Sequence, residues 1–469
     1  MKIYEKERKT MNRKLLLTVF LAVIIACLFF LRPDQRVVYS EEAGWKEYQM
    51  TYSTDEQFLG SIKTFDPKFY SIENYIWLAN LKDKNGFQCI TGNDFIKVDT
   101  DGDGQIDKTL QSKENLIDYK LDYGTVQQSY RAKIWPVKTI PEQKVFWYYR
   151  RAGFMKGTVE GEPVILIDDN SNGRYNDFGQ DALLIGRGKE AGLLSFLVFI
   201  KGKYYEFRAE QSGTSFWLRE YQGALGKIDV KSKLNFKKVK PPNFIILANK
   251  DTYLPISTKE KTAVAPVGEY KLYLAVLTDR IRVRHGNLPL IKIEADQVTV
   301  LGWGEPFKLV CEPRLVKGGE VMGFIEPKSN PPTAPEFPNQ KLDCPFIKMN
   351  LPKVYGQNGE EYFGDPEMKD QAGYCFPDIA VTYFNVEISA KETVGKIKKG
   401  KLINKIGKHF VDNWQQLNPS GIVEKRIPWW TIYQCPMNDY RGPVTVKVWI
   451  KSGLFGDLIF EQDLMVKEE

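Results

Sequence analysis

The sequence predicts a mainly β protein of tandem β-sandwich-like domains behind an N-terminal transmembrane or signal segment. Short apolar and polar alternations separated by Gly, Pro, Asn and Asp predict the strands, an uncharged apolar run predicts the N-terminal segment, and two acidic loops follow apolar strands. The chain has 469 residues, which is enough for about three domains with their own cores. Its 43% hydrophobic and 27% charged residues exclude general disorder.

Residues 1–40 are predicted to be a signal or membrane anchor. Basic residues precede the uncharged apolar run 15–31, which is just long enough to cross a bilayer as a helix. Basic residues on the near side keep that end cytoplasmic. We therefore expect the rest of the chain on the extracytoplasmic side of a bacterial membrane, in the cell envelope.

The fate of this segment has three alternatives. The run can remain as an anchor. Cys27 can be lipidated, because Ile24-Ile25-Ala26-Cys27 resembles a bacterial lipobox, although the apolar run continues beyond it to Leu31. Cleavage after Ser40 would release the protein, but this position lies far from the run. Retention by the anchor or the lipid is favoured over release.

Alternating patterns define the strands. Val444–Ile450 alternates and is followed by a Gly456 turn and Leu458–Phe460, which predicts a hairpin. Tyr270–Val276 has a similar pattern. One helix is predicted over Leu402–Leu417, where apolar residues recur at three- or four-residue intervals.

Proline-rich breaks at Lys240-Pro241-Pro242 and Pro327–Pro335 suggest the domain limits. The predicted units are a signal or anchor at 1–40, a β-rich calcium-loop domain at 41–238, a small β-sandwich at 239–325, a Pro-rich linker at 326–344, and a C-terminal β-sandwich-like domain at 345–469. In the middle unit, Pro266–Tyr270 followed by Leu290–Asp296 resembles transthyretin-like modules such as carboxypeptidase regulatory-like domains.

The first acidic loop predicts a calcium site. Calcium prefers several oxygen ligands from one short loop, with Gly at the sixth position to make a sharp turn. Gly104 holds that position, and Leu110 replaces the acid expected at position 12. The missing ligand would be Glu114, a distant carboxylate or water. The predicted ligands are Asp99, Asp101, Asp103, the Gln105 carbonyl and Asp107.

The second acidic loop repeats this spacing with fewer charges. Gly173 is again at the sixth position, and Gly179 stands at position 12, so Asp181 or Asp177 would complete the shell. We expect an affinity in the range of extracellular modules, about 10⁻⁴ to 10⁻³ M. The predicted ligands are Asp168, Asn170, Asn172, the Arg174 carbonyl, Asn176 and Asp181.

The first loop resembles an EF-hand or dockerin-type calcium loop over nine residues. Both loops follow strands, which is closer to calcium-stapled secreted modules such as thrombospondin type 3 repeats. The whole chain also resembles exported bacterial proteins with an Asp-x-Asn-x-Asn-Gly-x-Tyr-Asn-Asp loop, a resemblance that implies no activity. The alternative for both loops is an ordinary turn in which Asp and Asn bond their own backbone.

Other motifs argue against catalysis. The chain has two histidines and no HExxH, and Gly395–Lys401 imitates a P-loop without its hydroxyl residue. This basic stretch more simply forms a solvated face, with an anionic glycan or lipid headgroup as the alternative ligand. Trp429-Trp430 and Trp147–Tyr149 suit either a core or a sugar-stacking platform.

Charge and cysteine content bear on partners and compartment. Seven of 66 basic and two of 59 acidic residues lie within 1–32, so the remainder is nearly neutral and nucleic acid is not expected as a partner. An exported protein can form disulfides, and two are predicted among Cys311, Cys344, Cys375 and Cys435, leaving Cys89 free.

The sequence therefore predicts an exported, membrane-anchored cell-envelope protein with structural calcium loops that acts as a binding or assembly module. Its expected partners are the membrane, through residues 15–31 or a lipidated Cys27, and an envelope glycan or protein. The alternatives are a carbohydrate-active enzyme or glycan-binding protein, recognisable by paired carboxylates or exposed aromatic rings, and a self-assembling scaffold.

Overall fold

The computed structural model describes residues 44–64, 68–79, 85–111, 113–124, 126–138, 145–235, 242, 244–277, 281–316, 346–349, 352–363, 384–394, 396–400, 402–406, 433–436, 440–452 and 455–466. The described residues from 47 onward belong to one compact unit. The predicted signal or anchor segment 1–40 lies outside the described residues.

The described residues form 35 strands and one short helix, α1 (Glu56–Ser61). The strands before residue 225 are β1 (Lys46–Gln49), β2 (Thr51–Ser53), β3 (Tyr70–Ile72), β4 (Tyr75–Ile76), β5 (Phe87–Thr91), β6 (Phe95–Val98), β7 (Lys108–Gln111), β8 (Asn115–Asp122), β9 (Gln127–Lys138), β10 (Val145–Arg151), β11 (Phe154–Val159), β12 (Glu162–Ile167), β13 (Ala182–Ile185), β14 (Gly192–Leu193), β15 (Leu197–Ile200), β16 (Lys203–Ala209) and β17 (Ser215–Glu220).

The strands after residue 224 are β18 (Leu225–Asn235), β19 (Phe244–Asn249), β20 (Thr252–Ser257), β21 (Thr262–Pro266), β22 (Gly268–Val276), β23 (Arg282–Arg284), β24 (Ile291–Ile293), β25 (Val298–Gly304), β26 (Lys308–Val310), β27 (Arg314–Val316), β28 (Phe346–Met349), β29 (Lys353–Tyr355), β30 (Glu361–Phe363), β31 (Phe384–Ala390), β32 (Leu402–Ile406), β33 (Tyr433–Pro436), β34 (Gly442–Ser452) and β35 (Gly456–Val466).

The strands of residues 47–220 surround one main hydrophobic core. They form four sheets with the orders β3-β10-β9-β8, β4-β5-β6-β7, β14-β13-β12-β11-β2 and β1-β17-β16-β15. Alternate side chains point to opposite faces of a strand, so Ile117, Tyr119 and Leu121 of β8 are buried while the residues between them are more exposed. This core holds the two acidic loops in place.

A second core contains buried residues from Leu193 to Val466. Its largest sheet has the order β20-β19-β22-β23-β30-β29-β26, with β24 paired to β22, and the other sheets are β21-β18-β25, β27-β28-β33 and β32-β31-β34-β35. The β18 and β25 strands are parallel. The protein is thus mainly β, as the sequence predicts.

The predicted C-terminal hairpin is confirmed. Strands β34 and β35 pair antiparallel from Gly442 with Val466 to Ser452 with Gly456. Val444, Val446 and Val448 are fully buried, because the alternation of this strand puts its valines on one face.

The helix prediction is wrong over Leu402–Ile406, which is strand β32. This strand pairs antiparallel with β31, as in Val386 with Ile406. Pairing with a formed strand favours the extended conformation for β-branched isoleucines, so tertiary structure outweighs the helical spacing. Residues 407–417 lie outside the described part of the chain.

The predicted linker 326–344 lies between strands of the largest sheet. Strand β23 precedes the linker and β30 follows it, yet Val283 pairs directly with Tyr362. The linker itself is outside the described residues, so the domain limits remain a prediction. The residues around it nevertheless contribute to one sheet.

The cysteine prediction needs correction. Cys89 and Cys311 are both buried free thiols, so two disulfides among the last four cysteines is wrong. Cys311 lies in the second core with 7% exposure, where it packs as a small apolar side chain. Cys344 and Cys375 lie outside the described residues, and only the backbone of Cys435, in β33, is described.

Among the described residues, no helix is long and apolar enough to span a bilayer. The helix α1 has only six residues. The apolar run 15–31 and Cys27 lie outside the described residues.

Candidate metal sites in two acidic loops

The first loop, residues 99–107, joins β6 to β7. The two strands form an antiparallel hairpin in which Val98 pairs with Lys108. Ile96 and Val98 are fully buried, which anchors the start of the loop in the core. Gly102 and Gly104 have φ angles of +73° and +86°, conformations that glycine adopts without steric cost.

The carboxylate of Asp99 lies at the base of this loop with 2% exposure. Its Oδ1 accepts hydrogen bonds from the backbone N–H groups of Asp101 at 3.1 Å and Gly102 at 2.8 Å. Its Oδ2 accepts a hydrogen bond from the Gly104 N–H at 2.9 Å. Asp99 therefore organises the turn whether or not a cation is bound.

Three of the predicted carboxylates converge. Asp99, Asp101 and Asp107 each have an oxygen within 4.8 Å of the others. The Oδ1 atom of Asp101 is buried and has no hydrogen-bond partner in the structure. These three oxygens could hold one cation, because hard cations such as calcium bind carboxylates.

The other two predicted ligands are more peripheral. Asp103 is exposed and its Oδ1 accepts a 2.7 Å hydrogen bond from the N–H of Gln105, which is also exposed.

Asp107, one of the three converging carboxylates, is held by Thr100. Asp107 Oδ2 accepts hydrogen bonds from Thr100 N and Oγ1 at 2.7 and 2.8 Å. These bonds hold the pKa of Asp107 below its usual value, so this carboxylate is charged and available.

The second loop, residues 168–181, joins β12 to β13 and is more deeply buried. The flanking strands pair antiparallel, with Ile167 opposite Ala182. Ser171 and Gly173 have φ angles of 54° and 79°, which fold the loop back on itself. Five polar residues of the loop are at most 3% exposed: Asp168, Asp169, Asn170, Ser171 and Asp181.

Asp168 is the centre of the second loop. Its Oδ2 accepts hydrogen bonds from the Tyr130 hydroxyl and the Gly173 N–H, both at 2.7 Å. Its Oδ1 accepts a 3.1 Å bond from the Asn172 N–H. Burial nevertheless raises the pKa of Asp168 to about 7, because loss of water disfavours the charged form.

Two buried oxygen atoms of the second loop have no hydrogen-bond partner among the described residues. Asp181 Oδ2 accepts a 2.9 Å bond from the Asp177 N–H, whereas Asp181 Oδ1 is buried without a hydrogen-bond partner. Asn170 Oδ1 is likewise buried without a hydrogen-bond partner. Burial, followed by the negative charge of Asp168, raises the pKa of Asp181 well above its usual value.

Asp177 orients the amides of this loop. Its Oδ2 accepts hydrogen bonds from Asn170 Nδ2 at 2.9 Å and Asn172 Nδ2 at 2.6 Å. Asn172 Oδ1 in turn accepts the Arg174 N–H at 2.8 Å. Arg174 is exposed and Asn176 half-buried, and neither side chain takes part in the hydrogen bonds of Asp168 or Asp181 given above.

A supporting contact that the sequence did not reveal fixes the second loop to its neighbours. Asp169 forms a 2.5 Å ion pair with Arg151 of β10 and accepts a 3.0 Å hydrogen bond from Thr64 Oγ1. Ser171 Oγ accepts the Arg151 N–H and donates to the Lys68 carbonyl, both at 3.1 Å. The consecutive pair Asp168-Asp169 is the sequence signal, because adjacent residues leaving a strand point to opposite sides.

Comparisons with known proteins give no identification. No family model matches the chain, and no curated protein matches it. Among solved structures, a chain described as the Bacillus anthracis TIE protein aligns with 87% of this chain and 74% of its own length, at 9% identity and a TM-score of 0.14. A likeness this weak carries no argument about fold or function.

Proposed function

We propose that this is an exported, membrane-anchored cell-envelope protein whose two acidic loops bind calcium and stabilise a binding or assembly module. The observation that carries the calcium proposal is the convergence of Asp99, Asp101 and Asp107, whose oxygens lie within 4.8 Å of one another. In the second loop Asp168 and Asp181 are buried, and Asp181 Oδ1 and Asn170 Oδ1 have no hydrogen-bond partner among the described residues. Buried carboxylates cost free energy unless they are paired, protonated or bound to a cation.

Ligand chemistry supports calcium over softer metals. The second loop offers carboxylate and amide oxygens, and the first offers three carboxylates within 4.8 Å. Oxygen-only sets suit calcium, magnesium or manganese, whereas zinc and copper favour nitrogen and sulfur. Loops of flexible geometry with several carboxylates fit calcium better than magnesium, which demands a small octahedral shell.

The alternative of ordinary turns accounts for only part of the hydrogen bonding. Asp99 and Asp168 do accept backbone N–H groups of their own loops, as in turns capped by Asp. That alternative leaves Asp101 Oδ1 and Asp181 Oδ1 buried and unpaired. A cation bound in each loop would give each of these oxygen atoms a partner.

Calcium in these loops would act on stability. Each loop closes a hairpin whose strands contribute to the first core. A site with a dissociation constant of about 10⁻⁴ to 10⁻³ M contributes roughly 0.4 to 1.5 kcal/mol at about 1 mM free calcium. The proposed location agrees with this, because the outside of a cell supplies calcium at such concentrations.

The envelope location rests on the sequence of the N-terminal segment. Residues 15–31 would anchor the protein as a helix, or Cys27 would carry a lipid, and the basic residues before the run favour export of the chain after it. The partners of the exported part would be an envelope glycan or protein.

Thermal melting of the full-length chain in mild detergent tests the calcium proposal. We expect calcium, titrated from micromolar to about 10 mM against a chelator, to raise the melting temperature by a few degrees. Magnesium should have a smaller effect. Asp168→Asn and Asp181→Asn should each remove part of the rise, since either change deletes a charged ligand.

Asp118→Asn is the matched control, because Asp118 is a surface carboxylate paired with Arg131 and lies outside both loops. Its response to calcium should equal that of the unaltered chain. The absence of any effect of either ion would reduce both loops to ordinary turns, and an equal effect of magnesium would contradict the preference for calcium.

A further inference from the structure

The outer surface of the sheet β3-β10-β9-β8 carries a cluster of aromatic rings that the calcium loops do not involve. We call Phe69, Trp135 and Tyr148 the aromatic face. The ring centroid of Phe69 lies 6.0 Å from that of Trp135 and 5.7 Å from that of Tyr148. Trp135 and Tyr148 are direct partners across β9 and β10, and their rings are 6.1 Å apart with planes inclined by 23°.

Strand alternation separates these rings from the core. Ile134, Trp147 and Tyr149 lie on the inner face and are fully buried. Trp135 and Tyr148 alternate with them and are only half-buried, so they point to the opposite side. Phe69 is 43% exposed. Core packing therefore explains the inner aromatic residues and not the outer ones.

Two of the three basic residues beside the aromatic face are neutralised by acidic partners. Arg131 donates two 2.8 Å hydrogen bonds to Asp118, and Lys133 forms a 2.6 Å ion pair with Glu114. The guanidinium of Arg150 lies 5.7 Å from the centroid of the Trp135 ring. A polyanion would gain little here, because Arg131 and Lys133 have acidic partners and Arg150 alone would have to bind its charges.

We propose that the aromatic face binds a neutral glycan. Sugar rings present C–H groups that pack on aromatic rings, while their hydroxyl groups bond to a polar group beside the rings such as the Arg150 guanidinium. A stable protein interface needs about 800 Å² on each partner. Even fully covered, three aromatic side chains supply only about 450 to 750 Å², which is less than that but enough for a few sugar units.

This inference rests on the binding-module part of the proposed function and gives it a ligand class. It is independent of calcium, since none of the three rings belongs to residues 99–107 or 168–181. The two proposals can therefore fail separately.

Two binding assays on the full-length chain in mild detergent test the proposal. The first is a pull-down with insoluble chitin, cellulose and xylan, and the second is affinity electrophoresis in soluble starch and β-glucan. We expect binding to at least one of these neutral glycans. Trp135→Ala and Tyr148→Ala should each weaken it by roughly threefold to tenfold, the usual contribution of an aromatic contact. Trp135→Phe should retain most of the binding, because it keeps a ring.

Phe199→Ala is the matched control, since Phe199 is 54% exposed on a different sheet and contacts the ring of Tyr204. It should bind as the unaltered chain does, and circular dichroism should show that all variants fold. Binding to none of the glycans overturns the proposal, as does binding that survives Trp135→Ala and Tyr148→Ala. Self-association lost in these variants without glycan binding would assign the face to protein contact instead.

Repeating the glycan assay in chelator separates the two proposals. Unchanged glycan binding by a chain whose melting temperature ignores calcium would reject the calcium sites alone. A calcium-dependent melt without glycan binding would reject the aromatic face alone.

Discussion

At the residue scale, the charge state of Asp168 couples the second loop to pH. Its pKa of about 7 lies above the value of about 3.9 expected in an unfolded chain. Between these values the folded protein binds more protons than the unfolded one. The free energy of unfolding must therefore fall as the pH rises through this window. Asp181 shifts in the same direction.

We expect the melting temperature in chelator to decrease between pH 5 and pH 8, with a loss of roughly 1 to 3 kcal/mol in the free energy of unfolding. Saturating calcium should flatten this decrease, because calcium binds the deprotonated carboxylates. Asp168→Asn should also flatten it in chelator, since the amide cannot ionise. Calorimetry across the pH range measures both effects.

Asp118→Asn serves as the comparison for this pH series. The hydrogen bond from Arg131 lowers the pKa of Asp118, so its titration affects stability only at lower pH. A slope between pH 5 and pH 8 that is the same in Asp168→Asn as in the unaltered chain would contradict the expectation.

The sequence predicts the residues of the loops better than their partners. Spacing alone places Asp99, Asp101 and Asp107 in one loop, and the structure brings their oxygens together. Spacing does not reveal that the Tyr130 hydroxyl donates to Asp168, because that contact joins strands 38 residues apart in the chain. It also gives no reason to set Asp103 apart from the other acids.

At the element scale, the two loops have similar glycine spacing but different surroundings. A Cβ atom at Gly104 would meet no atom within 4 Å. A Cβ atom at Gly173 would lie 2.9 Å from the Ala79 nitrogen and 2.9 Å from Leu121 Cδ1. Both positions have positive φ, so an alanine would be strained at either one, but only at position 173 would its Cβ also overlap with neighbours.

Alanine substitution at these two positions should separate strain from overlap. We expect Gly104→Ala to lower the free energy of unfolding by about 1 kcal/mol. Gly173→Ala should cost roughly 2 to 4 kcal/mol, because it adds overpacking against Ala79 and Leu121. Urea unfolding measured in chelator gives the two values without the effect of calcium. Equal losses would show that the second loop relaxes around the added methyl group.

Strict alternation of apolar and polar residues predicts strands directly. The hairpin of β34 and β35 follows directly from its valines, which are buried on one side. The sequence of strand β32 resembles a helix, because apolar residues at three- and four-residue spacing are compatible with both structures. Only the presence of β31 beside it decides between the two structures.

At the scale of the whole molecule, each core contains one described free thiol. Cys89 belongs to the first core, and its strand pairs with β6, where it faces Val98 next to Asp99. Cys311 belongs to the second core. Burial raises the pKa of both thiols to about 12, so neither forms a reactive thiolate until its surroundings open.

Calcium should therefore protect Cys89 and leave Cys311 largely unaffected. With calcium stabilising the first core by about 1 kcal/mol, alkylation of Cys89 should slow roughly fivefold. Peptide mass mapping after timed treatment with iodoacetamide measures both rates in one sample. Asp101→Ala should reduce the protection, and equal slowing of both cysteines would contradict the expectation by showing that the cores open together.

The overall order of strands could not be read from the sequence. Alternation predicts that strands exist, but each edge can pair with many partners, and long-range pairing depends on the complete core. The predicted linker 326–344 illustrates this, because its proline content suggests a break while β23 and β30 pair across it.

That pairing means that the covalent connection is not what holds the two sides of the largest sheet together. Strand β30 pairs with β23, β29 pairs with β26, and β28 pairs with β27, so three ladders join the segments before residue 317 and after residue 345. Val283, Val354 and Tyr362 are buried where the first two of these ladders meet. A chain cut once between residues 317 and 345 would thus persist as a two-piece complex, and separately produced halves would complement each other as a split protein.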